Sequence, residues 1–176
     1  MSSKLIVDTI EDSTGTYSLA LGSGNSTFPG GIHIGGTGSA NLLDDYEEGE
    51  HTATITTGSG SVTLTSGGNT LYYTKVGRLV TIIGTLRVSS VSSPSGTCAI
   101  SLPFTSYSPT TGEGQIGGFV TPNLVNSGNN NEVAIELGEN ASSLNLYKSG
   151  TSSLADAGNI FQYNTTLRIN FSYFTA

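Results

Sequence analysis

Runs of alternating apolar and polar residues follow one another from residue 51 to the end of the chain. In the clearest run, from 79 to 88, the apolar positions on one face are Val80, Ile82, Leu86 and Val88. Arg87 falls on the opposite face, and a period of two is typical of strands that bury one side. Such runs recur at short spacing without helical patterns between them. The sequence therefore predicts an all-β head over residues 51–176, an antiparallel, jelly-roll-like β-sandwich.

The charge is divided unevenly along the chain. The first fifty residues hold eight of the thirteen carboxylates and one basic residue, Lys4, so the formal charge of −7 arises there. Residues 1–40 contain short extended pieces separated by glycine-rich turns, with too few large apolar side chains to form a core. We therefore expect an extended N-terminal leader. Its main apolar cluster, which we expect to dock on another protein, consists of Leu5, Ile6, Val7 and Ile10.

Residues 41–50 carry the one helical pattern. Asn41 could cap a short helix, and Leu42, Leu43 and Tyr46 follow at helical spacing. A helix of this length is stable only when it packs on something else. We predict a short acidic helix or hinge in which these three apolar side chains pack between chains or against the base of the head.

The acids of this hinge raise the question of a bound cation. Five acids lie between Asp44 and Glu50, and calcium prefers several oxygen ligands. They lack the glycine and the alternating spacing of a dedicated calcium loop, and carboxylates near a helix start are favoured by its dipole. The prediction is no metal site, with a calcium ion at the hinge as the alternative.

Groups suited to catalysis are scarce. The two histidines, His33 and His51, and the single cysteine, Cys98, do not make up a zinc site. Cys98 shares a strand face with Ile100 and Leu102, which predicts a buried structural thiol. In the head, Glu132 and Glu136 straddle Ala134 on the polar face of a strand, which favours a solvated surface over a catalytic pair. We expect structural histidines, no cofactor and no catalytic residue.

The composition restricts the kinds of molecule that this protein can bind. Charged residues make up 11% of the chain, and strands with so little charge tend to aggregate unless partner chains cover their edges. The sequence pI near 4.5 and the lack of a basic stretch argue against nucleic acid. No apolar stretch reaches the length of a membrane span, and no signal peptide opens the chain. We expect synthesis in a cytoplasm, delivery as part of an assembly and no membrane insertion.

Four segments carry a resemblance to a known family. Residues 3–10 and 35–49, the latter with the block Ala40-Asn41-Leu42-Leu43-Asp44-Asp45-Tyr46-Glu47-Glu48-Gly49, resemble the leader of bacteriophage tail-fibre and virion-appendage proteins. Residues 73–80 and the Leu102-Pro103-Phe104 motif resemble the β-sandwich that follows it there. One departure is Glu50-His51-Thr52-Ala53, where the family usually has an aromatic residue and a proline.

The resemblance implies a non-enzymatic homotrimeric fibre on the virion surface, made in the cytoplasm of a bacterial host. The leader would then anchor to another virion protein, of the tail or of the capsid, and the head would face a host glycan or receptor. The positions that we predict for receptor contact are Tyr107, Asn129, Asn130 and Asn131, which are polar or aromatic, near turns and outside the alternating pattern.

The sequence leaves two other functions open. A capsid decoration protein, which stabilises the shell as a cement or head fibre, needs the same docking arm, so the sequence does not separate it from an attachment fibre. A glycan depolymerase needs a constellation of catalytic groups, and we identify none. We therefore predict a protein that is not an enzyme.

Overall fold

The computed structural model describes residues 9–11, 18–21, 26–28, 30–108, 115–123, 133–148 and 155–175. The chain forms two compact units, Met1–Tyr46 and Glu47–Ala176. The division lies inside the segment that the sequence analysis assigned to a hinge. Neither of the helices in the described ranges is long or apolar enough to span a membrane.

The first unit contains short antiparallel strands. β1 (Thr9–Glu11), β2 (Ser18–Leu21) and β3 (Ser26–Thr27) form a three-stranded sheet in that order. β4 (Ile32–His33) pairs with β5 (Leu42–Leu43), and a 3-10 turn (Ser39–Asn41) precedes β5.

The predicted helix over residues 41–50 is wrong. Asn41 ends the 3-10 turn, and its side-chain amide donates to the Ile34 carbonyl over 3.0 Å instead of capping a helix. Leu42 and Leu43 then pair with β4, and the chain continues as β6 (Tyr46–Thr52). A helix of two turns is marginal in isolation, and ladder hydrogen bonds to neighbouring strands satisfy the same backbone. Leu42 and Leu43 are half-buried, whereas Tyr46 is exposed, so the three do not share a helical face.

The described residues of the second unit form eight strands, of which β6 is the first. After β6 come β7 (Ile55–Leu64), β8 (Thr70–Val76), β9 (Leu79–Ser101), β10 (Gln115–Asn123), β11 (Val133–Leu137), β12 (Ser143–Lys148), a helical turn α1 (Ala157–Ile160) and β13 (Thr166–Phe174). The hydrogen-bonded strand order is β12-β11-β10-β13-β9-β8-β6, and β9 also pairs with β7 and β12. The pairs from β12 to β8 are antiparallel.

Two strands, β9 and β10, change pairing partners along their length. The first part of β9 pairs with β8 and β13, and its last part pairs with β7 and β12. β10 pairs with β11 through its first residues and with β13 through Thr121–Asn123. Strands that pass from one sheet to another form the corners of a sandwich. The predicted all-β antiparallel fold is confirmed.

The core lies between the inward faces of these strands. On β9, Val80, Ile82, Leu86 and Val88 are buried and Arg87 is exposed, as the alternation predicts. Gly84 is on the same strand, and a Cβ there would come within 2.7 Å of Leu71 Cδ2. Glycine therefore permits the close approach of β8, on which Leu71 is fully buried.

The apolar residues at 160–163 predict a strand, but the helical turn α1 ends at Ile160 and no strand follows before β13. Asp156 caps this turn, accepting from Gly158 N over 2.8 Å and from Gly96 N over 2.9 Å. Ile160 and Phe161 are buried in the core. The apolar pattern marked burial correctly, but the capping carboxylate selects a helical turn.

Candidate functional site

The predicted receptor residue Tyr107 is held on a rigid support. Its backbone N–H donates to the Phe174 carbonyl at the end of β13 over 2.7 Å. The Arg78 guanidinium lies 3.9 Å from the Tyr107 ring centroid, and Arg78 Nε donates to the Thr175 carbonyl over 3.1 Å. Arg78 belongs to the turn between β8 and β9. Two distant parts of the chain therefore hold Tyr107, one through its backbone and one through its ring, and 36% of the residue's surface is exposed.

The residues on either side of Tyr107 are bonded to a second turn. Ser106 is buried, donates to the Gly138 carbonyl over 2.6 Å and accepts from Ala141 N over 2.9 Å. Ser108 donates to Glu139 Oε2 over 3.1 Å. Ser106 is thus a structural bridge, whereas Tyr107 and its neighbours Thr105 and Ser108 are exposed, with Arg78 adjoining the Tyr107 ring.

An aromatic cluster of Tyr73, Phe104 and Tyr173 holds the start of the segment that carries Tyr107. The Tyr73 and Phe104 rings meet edge to face with centroids 5.0 Å apart, so the two head segments that carry the family resemblance are in contact. Tyr173 Oη donates to the Phe104 carbonyl over 2.9 Å, and burial raises the pKa of Tyr173 to about 12. Lys75 Nζ lies 5.7 Å from the Phe104 centroid. The cluster fixes the start of the segment that ends at Tyr107.

A shallow groove lies between β6 and β8. Glu48, Glu50, Tyr72 and Thr74 line it, together with Gly49 and Tyr73, and it encloses about 430 Å³. The Tyr73 hydroxyl donates to Glu47, and this bond is the main cause of the raised pKa of Tyr73. The groove offers an exposed phenol ring beside two carboxylates.

The histidines and the cysteine do not form a chemical centre. Among the described residues, no three His, Cys, Asp or Glu side chains lie close enough together to hold a metal ion. His51 Nε2 lies 2.9 Å from Ser101 Oγ, which also accepts from Thr54 N, so the pair ties β6 to the end of β9. Burial lowers the pKa of His51, and Ser101 acts in the opposite direction. Cys98 is buried, as predicted.

The other predicted site residues are placed as follows. Leu5, Ile6, Val7 and Asn129–Asn131 lie outside the described residues, and the backbone of Ile10 lies in β1. Leu42 and Leu43 form β5, and Tyr46 begins β6. The local sequence pattern does not reveal Arg78, because its contact with Tyr107 depends on how β9 and β13 are paired.

The fold and this site define an all-β module with a fixed, surface-exposed tyrosine–arginine pair. No family model matches the sequence, and no curated protein matches it. The fold is similar to part of the crystal structure of the Dettilon tailspike protein, with a TM-score of 0.57 and 22% sequence identity. The similarity covers 73% of this chain and 24% of the tailspike chain. At this identity the likeness is one of fold, and the chain spans about a quarter of that protein.

Proposed function

We propose that this protein is a bacteriophage virion protein that forms a short homotrimeric fibre and attaches to the host surface through its head. The fold likeness to part of a tailspike protein is the observation that carries this proposal. The leader anchors the fibre to another virion protein, and Leu5, Ile6, Val7 and Ile10 supply the docking side chains. The low charge and the exposed apolar residues of the head support association between chains.

Host contact is assigned to the surface around Tyr107. The tyrosine and Arg78 together present an aromatic edge and a positive charge, which suit hydroxyl and anionic groups of a surface glycan. Three copies on one fibre would strengthen a weak single contact.

We also propose that the head binds without catalysis. Three of its carboxylates have structural partners: Asp156 caps α1, Glu139 accepts from Ser108, and Glu136 bonds to Tyr147. Release of reducing sugar from host glycans by the purified protein would contradict this part of the proposal.

The test is adsorption of phage that carry Tyr107→Ala. We expect adsorption to fall about tenfold, which corresponds to about 1.4 kcal/mol, with an unchanged melting temperature. The control is Tyr163→Ala, which removes another exposed ring. Normal adsorption of the Tyr107 variant would contradict the receptor site.

A second experiment tests whether the leader attaches the protein to the virion. Removing residues 2–12 should leave a folded head that no longer joins particles. Incorporation of the truncated chain at the normal level would contradict the docking role. A capsid decoration role, the alternative from the sequence, would instead give normal adsorption and weaker capsids when the protein is missing.

A further inference from the structure

The outer face of the sheet made by β8, β9 and β13 carries exposed apolar side chains. Its outward apolar residues, with their exposed fractions, are Tyr72 (53%), Val76 (43%), Leu79 (42%), Ile83 (57%) and Phe174 (53%). An antiparallel sheet with one solvated face usually places polar residues there. A set of large apolar side chains on that face therefore indicates a surface that another molecule covers.

The strand register gathers these side chains into two rows. Tyr72 lies opposite Ile83, and Leu79 lies between Val76 and Phe174. A row of hydroxyl side chains runs between them, with Thr81 Oγ1 and Ser172 Oγ 2.8 Å apart. The face is therefore regular, with apolar rows that the corresponding faces of other copies could pack against.

Charges of opposite sign lie in different parts of this face. Glu48 and Glu50 line the groove beside Tyr72, at the β6 edge. Arg168 lies opposite Thr85 on the outward side, and the next outward position of β9 is Arg87. Both arginines are exposed. Each copy of the chain thus presents two carboxylates on one side of the face and two guanidinium groups on the other.

We propose that this face lies at the threefold axis of the homotrimer, where the acidic edge of each copy contacts the arginines of the next copy. The inference rests on the homotrimer of the proposed function, for which it names the interface. Another copy of the chain is the partner that fits this face, because each chain carries both the carboxylates and the arginines of the complementary contact. In a ring of identical chains each contact joins two different parts of the surface, as this division of charge requires.

The first test is the mass of Ile83→Asp by light scattering at micromolar concentration. A buried carboxylate would oppose packing, so we expect the trimer to dissociate to monomers. The matched control is Tyr163→Asp, which changes an exposed ring outside these strands and should leave the mass unchanged. A trimeric mass for the Ile83 variant would overturn the proposal.

Charge reversal is a second test of the interface, and it applies even if Ile83→Asp does not fold. One variant carries Glu48→Arg and Glu50→Arg, and another carries Arg87→Glu and Arg168→Glu. Each should raise the dissociation constant at least about tenfold, and the chain with all four changes should recover the trimer. Unchanged association in both, or no recovery in the fourfold variant, would overturn the interface.

These outcomes separate the inference from the proposed function. Association that resists every change, in a protein that still sits on virions, would overturn the interface alone. Dissociation of the variants, in a protein that is absent from virions, would support the interface and overturn the virion role.

Discussion

The Tyr173 hydroxyl donates to the Phe104 carbonyl over 2.9 Å and lies 3.3 Å from the Phe104 backbone nitrogen. One side chain of the last strand thus satisfies both backbone groups of the residue that ends the Leu102-Pro103-Phe104 motif. Since Phe104 also contacts the Tyr73 ring, this bond helps to fix the segment that leads to Tyr107.

Replacing Tyr173 with phenylalanine removes that bond and keeps the ring. We expect the free energy of unfolding to fall by about 1–3 kcal/mol, because backbone groups in a partly buried site lose their partner. Urea unfolding measures the change, with Tyr163→Phe as the exposed control. Equal stability of the two variants would show that water replaces the Tyr173 hydroxyl at no cost.

The same residue predicts a dependence on pH. Its pKa is raised from 10.0 to about 12 in the folded chain, chiefly by burial, so the folded state holds this proton more tightly than the unfolded state. The stabilisation is complete below pH 10 and is lost as the pH rises toward 12. Thermal melts should show a smaller loss over this window for Tyr173→Phe than for the wild type. Parallel losses would contradict the assignment.

Cys98 should resist thiol reagents in the folded protein. Burial, followed by the charge of Asp156, raises its pKa from 9.0 to about 12, and 1% of its surface is exposed. The thiolate is the reactive form, so we expect Cys98 to react at pH 8 only after the protein unfolds. The control is the same reaction in denaturant, where the thiol should react at the rate of a free cysteine. Equal rates with and without denaturant would contradict the burial of Cys98.

Gly84→Ala should destabilise the head. The added Cβ would lie 2.7 Å from Leu71 Cδ2 and 2.9 Å from the Thr70 carbonyl oxygen, and overpacking of this kind costs about 1–3 kcal/mol. Gly30→Ala is the control, since a Cβ there meets nothing within 4 Å. Melting temperatures of both variants, compared with that of the wild type, give the result. A Gly84 variant that melts with the wild type would show that β8 moves aside freely.

Asp156→Ala should also lower stability. The carboxylate caps α1 through Gly158 N and accepts from Gly96 N on β9, and loss of such a cap costs about 0.5–2 kcal/mol. Asp156→Asn, which keeps an acceptor oxygen, should recover part of the loss in denaturant unfolding. The absence of any difference between the two variants would contradict the capping role.

The sequence predicted the core strands because alternation is a local property. The burial of Val80, Ile82 and Leu86 could be predicted from their spacing alone, without knowing which strands pair with β9. The strand over residues 46–52 was predicted as part of a helix because its pairing with β8 depends on residues far along the chain. The corners at β9 and β10 also depend on non-local register. The contact of Arg78 with Tyr107 could not be predicted for the same reason, whereas Tyr107 was proposed as a site residue because it interrupts the local pattern.

Labelling of intact virions tests the central claim most directly. An antibody against the head, observed by electron microscopy, should mark the tail, and particles that lack the protein should lose adsorption while their capsids keep normal stability. Label distributed over the capsid, with normal adsorption and capsids that break more easily when the protein is missing, would contradict the account and assign the chain to shell decoration.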